Sequence, residues 1–180
     1  MSGRIPIMFD RALRPEWIDF ALEQFLASSS EAELRATLRT FMSAHFEGVF
    51  TQQKTALQLQ RMVGYRSPFT RKELESFYDR LGALKPEERN PLRLEILRRS
   101  NKFFDDFVRT LLKLRASGNE AVELKHVYDR MIAIYGDRGT VPRRVRSALQ
   151  TLASFGYLTN AKGKWFIEDS LVGGKDGNSR

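Results

Sequence analysis

Residues 139–169 read GTVPRRVRSALQTLASFGYLTNAKGKWFIED, and this stretch decides the fold. Its first half has the period of a helix. Val145, Leu149, Leu152 and Phe155 recur at three- and four-residue spacing and form one apolar stripe. Thr140 reads as the N-cap, Pro142 suits the first turn, and Gly156 stops the pattern. Arg143, Arg144 and Arg146 fall within the first turn or so, and at least two of them must face away from the stripe. The second half changes period. Tyr157-Leu158-Thr159, a turn at Asn160-Ala161-Lys162-Gly163, and Lys164-Trp165-Phe166-Ile167 read as a short hairpin with a basic tip. A helix with a basic start, followed directly by a small hairpin, is the sequence shape of a winged helix. In helix–turn–helix docking the first residues of the second helix meet base edges while flanking elements touch the backbone.

Helix stability does not account for the arginines, because positive charge near a helix N-terminus opposes the macrodipole. They read instead as ligands for phosphate or base edges. Arg143, Arg144 and Arg146 are expected to enter or flank the major groove of a duplex, with Thr140 beside them. Lys162 and Lys164 would reach the backbone from the hairpin, and Arg138 and Arg66 are further candidate phosphate contacts.

Composition agrees. The formal charge is +8, and between Asp137 and Ile167 six cations face Asp137 alone, a local charge of about +5. Such a balance points to a polyanionic partner. The 180 residues are 42% apolar, with 13 Phe against 2 Trp, enough to build a core for one compact domain or two small ones. No cysteine is present, which removes disulfides and thiolate metal sites and fits a reducing cytoplasm. The two histidines, His45 and His126, leave little room for a histidine metal site or a Ser-His-Asp constellation. No Gly-rich phosphate loop of either common type occurs. The acidic pairs Glu31/Glu33 and Asp105/Asp106 sit on charged helical faces, where nothing shifts a carboxyl toward catalysis. The chain reads as a non-enzyme without cofactor or metal. Arg4 and Pro6 interrupt the first residues, and no apolar run approaches the ~20 needed to cross a bilayer, so a cytoplasmic protein without membrane contact is expected.

Taken in order, Ile5, Ile7, Met8 and Phe9 are expected to pin an N-terminal arm. Pro15 opens a first helix that ends at Ser28-Ser29-Ser30, and Ser30 with Glu33 forms a capping box for a second, running to about His45. His45 reads as structural. Thr51 is expected to cap a third helix closed by Gly64, and Thr70 with Glu73 boxes a fourth. Lys54, Arg61, Arg66, Arg71 and Lys72 make this region basic, a solvated hairpin or a second nucleic-acid surface. Asn90-Pro91 opens the longest expected helix, to about Arg115, with a buried stripe of Leu94, Leu97, Phe104, Phe107, Val108, Leu111 and Leu112 and with Arg93 and Arg98 off it. Ala121 to Leu124 reads as a strand paired with the hairpin, and Lys125 to Tyr135 as a helix ended by Gly136. The expected fold is mainly α: an N-terminal helical bundle over 1–89, a winged helix–turn–helix with a long connecting helix over 90–170, and a flexible tail over 171–180.

The helix RRSNKFFDDFVRTLLKLR (98–115) and the closing VRSALQTLASFGYLTN…WFIED segment together resemble the BrxA family, small proteins of BREX phage-defence systems. Arg143 and Arg146, Leu149 and Leu152, Gly156 and Leu158 match that family's C-terminal pattern. The resemblance implies a double-stranded-DNA-binding accessory protein working beside a methyltransferase and an ATPase of the same system. Two other classes remain open from the residues. One is a winged-helix adaptor that docks a protein. The other is an RNA-binding protein built on the basic N-terminal helices.

Overall fold

The computed structural model describes residues 8–173. The expected anchors Ile5 and Ile7, and the tail from residue 174 onward, lie outside the described residues. Helix α1 (Pro15–Ala27) starts with proline at its first position and buries Trp17, Ile18, Ala21, Leu22 and Phe25. Helix α2 (Glu31–Ser43) carries half of the expected capping box. The Ser30 hydroxyl accepts from the Glu33 amide, but the Glu33 carboxylate turns to the amide and hydroxyl of Ser29 instead. His45 lies just beyond α2, its ring packed 5.1 Å from Trp17 and 4.9 Å from Phe41.

Helix α3 (Val49–Val63) begins two residues before the expected Thr51 cap. Gly48 is the N-cap, and the Gln52 side chain reaches back to donate to the Phe46 carbonyl at 2.7 Å. Helix α4 (Arg71–Ala83) has the full Thr70/Glu73 capping box.

The continuous helix expected from Asn90 to Arg115 is two helices, α5 (Asn90–Ser100) and α6 (Lys102–Ala116). Asn101 breaks it. Its backbone is extended, its side-chain oxygen accepts from the Phe104 amide at 2.9 Å, and its side-chain amide donates to the Met8 carbonyl. The first bond gives the Phe104 amide the partner it loses where the helix breaks, and the second gives the distant Met8 carbonyl a donor. Arg93, expected off the buried stripe, is itself buried: it makes a two-pronged pair with Asp19 of α1 at 2.8 and 2.6 Å. Arg98 pairs with Asp105 at 2.6 Å across the break.

Residues 8–14 form an arm without regular structure, and side chains of α3 and α8, with Asn101 between α5 and α6, bond its backbone. Gln58 of α3 accepts from the Arg11 amide and donates to its carbonyl, at 2.9 and 2.6 Å. Phe9 is fully buried and stacks on Phe104 of α6, ring centroids 4.9 Å apart. This is the anchoring expected of Phe9, whereas Met8, expected to share it, is 44% exposed.

At the C-terminal end come β1 (Ala121–Glu123), α7 (Leu124–Tyr135), α8 (Thr140–Ser154), β2 (Leu158–Ala161), β3 (Lys164–Ile167) and α9 (Asp169–Val172). The strands make one antiparallel sheet of order β1-β3-β2, with Val122 opposite Trp165 and Leu158 opposite Ile167. The chain is thus mainly helical with a small three-stranded sheet at its C-terminus. Residues 171–173, expected in the flexible tail, are docked: Leu171 joins the core and Arg115 holds Asp169 of α9 at 2.8 Å. Among the described residues no helix is long and apolar enough to cross a membrane.

Tyr135 closes α7 in the core and donates to Asp106 of α6 at 2.7 Å. Burial first, and then that hydrogen bond to a carboxylate, push its phenol well above the ordinary range, and burial alone raises Tyr157. The neutral forms are therefore favoured in the folded state. The stability they contribute is full below the unfolded value of about 10 and is lost as pH rises through the folded values. In an alkaline titration followed by phenolate absorbance, Tyr135 and Tyr157 are expected to ionise only as the fold opens.

Candidate nucleic-acid interface

Helix α7 stops at Gly136, whose φ of 80° is costly for any residue with a Cβ. The turn from Gly136 to Gly139 then leads into α8, and the Arg138 carbonyl accepts from the Val141 amide at 2.9 Å. Thr140, expected as the N-cap, is the first helical residue; Gly139 takes the cap position and makes no side-chain bond. The Thr140 hydroxyl accepts instead from Arg144, one turn on, at 3.5 Å.

The expected stripe of Val145, Leu149, Leu152 and Phe155 is buried, together with Val141, Ala148 and the polar Ser147 and Thr151. This packing turns Thr140, Arg143, Arg146 and Gln150 outward, residues at three- and four-residue spacing on one helical face. No acidic residue occurs anywhere in α8.

The three arginines end in three different states. Arg143 is exposed and makes no hydrogen bond or ion pair among the described residues. Arg144 is turned to the arm, where its Nε and Nη2 lie 2.8 and 2.7 Å from one Asp10 carboxylate oxygen. Only 16% of its side chain is exposed. Arg146 is exposed, and its Nε donates to the hydroxyl of Tyr128 on α7 at 2.8 Å.

The hairpin turn is Lys162-Gly163 alone, and Asn160 and Ala161, expected in the turn, belong to β2. Both turn residues have positive φ, 50° and 77°, the backbone of a two-residue turn whose twist matches the strands. Lysine is an unusual residue at the first of these positions, and asparagine or glycine would adopt that conformation more cheaply. Lys164 is exposed, 3.9 Å from Glu123 of β1. Helix α8 packs on β2, so the basic face of the helix and the basic hairpin belong to one packed unit.

Arg138 lies in the α7–α8 turn, half-buried, in a shallow depression that Tyr135 and Thr140 also line. Arg66 is not brought to α8. It follows α3 and pairs with Glu31 of α2 at 2.6 Å, and with Arg35 it holds the Glu31 carboxyl below its usual range. Nearby, Arg71 pairs with Glu75 and donates to the Leu26 carbonyl. Part of the basic N-terminal stretch is thus committed to internal contacts.

Sequence reasoning passed over Gln150 and Tyr128. Gln150 was open to it, standing seven residues after Arg143 and therefore on the same face. The Tyr128–Arg146 bond joins two helices and leaves no periodic signal. Among the described residues no group of three or more His, Asp or Glu side chains is gathered as a metal site. No protein-family model and no curated protein matches the chain.

Proposed function

We propose that residues 121–167 form a winged helix–turn–helix that binds double-stranded DNA without catalysis, α8 entering the major groove and the hairpin acting as the wing. One observation carries this reading: the outward face of α8 presents Arg143 and Arg146 with no acid on the helix, beside a hairpin tipped by Lys162 and Lys164. The order strand, helix, helix, strand, strand supports it. A major groove ~12 Å wide admits an α-helix, whereas the deep, narrow groove of A-form RNA does not. The resemblance to BrxA supports a role as an accessory protein beside the methyltransferase and ATPase of a BREX-like defence system.

The test is a fluorescence-anisotropy titration of a mixed-sequence duplex between ~50 and ~200 mM salt. Wild type is expected to bind with a log–log slope that Lys162→Ala/Lys164→Ala makes shallower by about 1.8, two phosphate contacts at about 0.9 each. Arg143→Ala/Arg146→Ala is expected to weaken binding further. Absence of binding by wild type at the lower salt overturns the reading. A protein-docking role then takes over, favoured by Val49 and Phe50, adjacent on α3 and 56% and 64% exposed.

A further inference from the structure

We propose that Arg146 reads guanine in the duplex and that Tyr128 is the residue that positions it. The inference rests on the DNA-binding reading above and goes beyond it, from attraction for phosphate to recognition of a base.

A guanidinium has five N–H donors in a rigid fork: one on Nε and two on each terminal nitrogen. The Tyr128 hydroxyl takes the Nε donor of Arg146 at 2.8 Å, and the terminal nitrogens have no partner among the described residues. What remains is a pair of parallel donors at the end of the side chain. Guanine is the base that presents two acceptors side by side in the major groove, O6 and N7, and the end-on fork matches them. Tyr128 is itself half-buried and packed against the core, so the hydroxyl is a fixed anchor. Holding Nε removes rotamers that a free arginine would have to lose on binding.

The neighbours make the contrast. Arg144 has its Nε and one terminal nitrogen on Asp10, so its fork is already occupied. Arg143 has no partner among the described residues and suits a phosphate, which accepts a cation from many directions. Arg146 alone of the three is both anchored and open. Among these like charges near the start of α8, the difference lies in one tyrosine hydroxyl from the preceding helix.

The experiment uses two mixed-sequence duplex pools, one natural and one with every guanine replaced by 7-deazaguanine. That replacement keeps base pairing and charge but deletes the N7 acceptor. Each protein is judged by the ratio of its affinities for the two pools, because a folding defect lowers both alike and leaves the ratio unmoved. Wild type is expected to prefer the natural pool by about tenfold. Arg146→Ala removes the fork and is expected to bind the pools alike, and Tyr128→Phe is expected to lose most of the preference. If wild type binds both pools equally but tightly, the guanine inference falls while the DNA-binding reading stands. If Tyr128→Phe keeps the full preference, the positioning role of Tyr128 is overturned. If wild type binds neither pool, both readings fall together.

Discussion

Asp19→Ala is expected to destabilise the protein by about 3–5 kcal/mol, because it leaves a buried guanidinium without its carboxylate. Arg93 reaches Asp19 with Nε and Nη2 at 2.8 and 2.6 Å, and only 10% of its side chain is exposed. Its Nη1 donates to the Asn90 side chain, and Asn90 in turn donates to the Phe155 carbonyl at the end of α8. Arg89 adds a longer contact to the same carboxylate at 3.3 Å. Removing Asp19 therefore strands two arginines and loosens the tie between α1, α5 and α8. The exposed pair Arg80–Glu95 makes the contrast: with both side chains well solvated, its loss should cost about 0–1 kcal/mol. Urea unfolding measures both, and a shift of midpoint at constant slope identifies a change of stability alone. The double variant Asp19→Leu/Arg93→Met is expected to recover most of the loss, since a well-packed apolar pair can match a buried ion pair. Failure to recover would mean that Arg93 acts mainly through Asn90.

Phe104→Ala is expected to cost a similar amount, about 3–5 kcal/mol, through the cavity it opens. Phe104 is fully buried, lies 4.9 Å from the Phe9 ring at 23°, and sits 6.1 Å from Phe107. Its second effect is local. Phe9 belongs to no helix, so losing its stacking partner releases the arm more than the bundle. The amides of Arg11 and Leu13, which donate to side chains of α3 and α8, are expected to lose hydrogen-exchange protection more than those within α6. A double-mutant cycle between Phe9→Ala and Phe104→Ala should show a coupling of about 0.5–1.5 kcal/mol for the ring pair. Strict additivity would show that the arm is held by its polar bonds alone.

Much of this architecture was legible because the signals are local. The apolar stripe of α8, the Thr70/Glu73 box, Pro15 at the start of α1 and Gly136 at the end of α7 each act within one or two turns, which periodicity and capping rules can see. The break at Asn101 was hidden for the opposite reason. Leu97 and Phe104 are seven residues apart, so the apolar register runs straight through the gap and mimics one helix. What decides the break is the Met8 carbonyl, 93 residues away, which the Asn101 side chain satisfies. Buried charge was misread in the same way. Arg93 looked like a surface residue because its partner Asp19 lies 74 residues earlier. Arg143, Arg144 and Arg146 are alike in sequence, and only their distant contacts with Asp10 and Tyr128 tell them apart. Tertiary polar pairs leave no trace in local spacing.

The docking of the arm sets an order of events for the growing chain. Asp10 meets Arg144 and Ser147, and Leu13 meets Thr151 and Ser154, across separations of 134 to 141 residues. During synthesis the helices from α1 to α6 can associate as they emerge and take up Phe9 and Arg11, while the contacts of Asp10 and Leu13 wait for α8. The arm is thus among the last parts of the fold to be fully secured. Closing so long a loop contributes little to the early fold and makes the final step a joining of segments 134 residues or more apart.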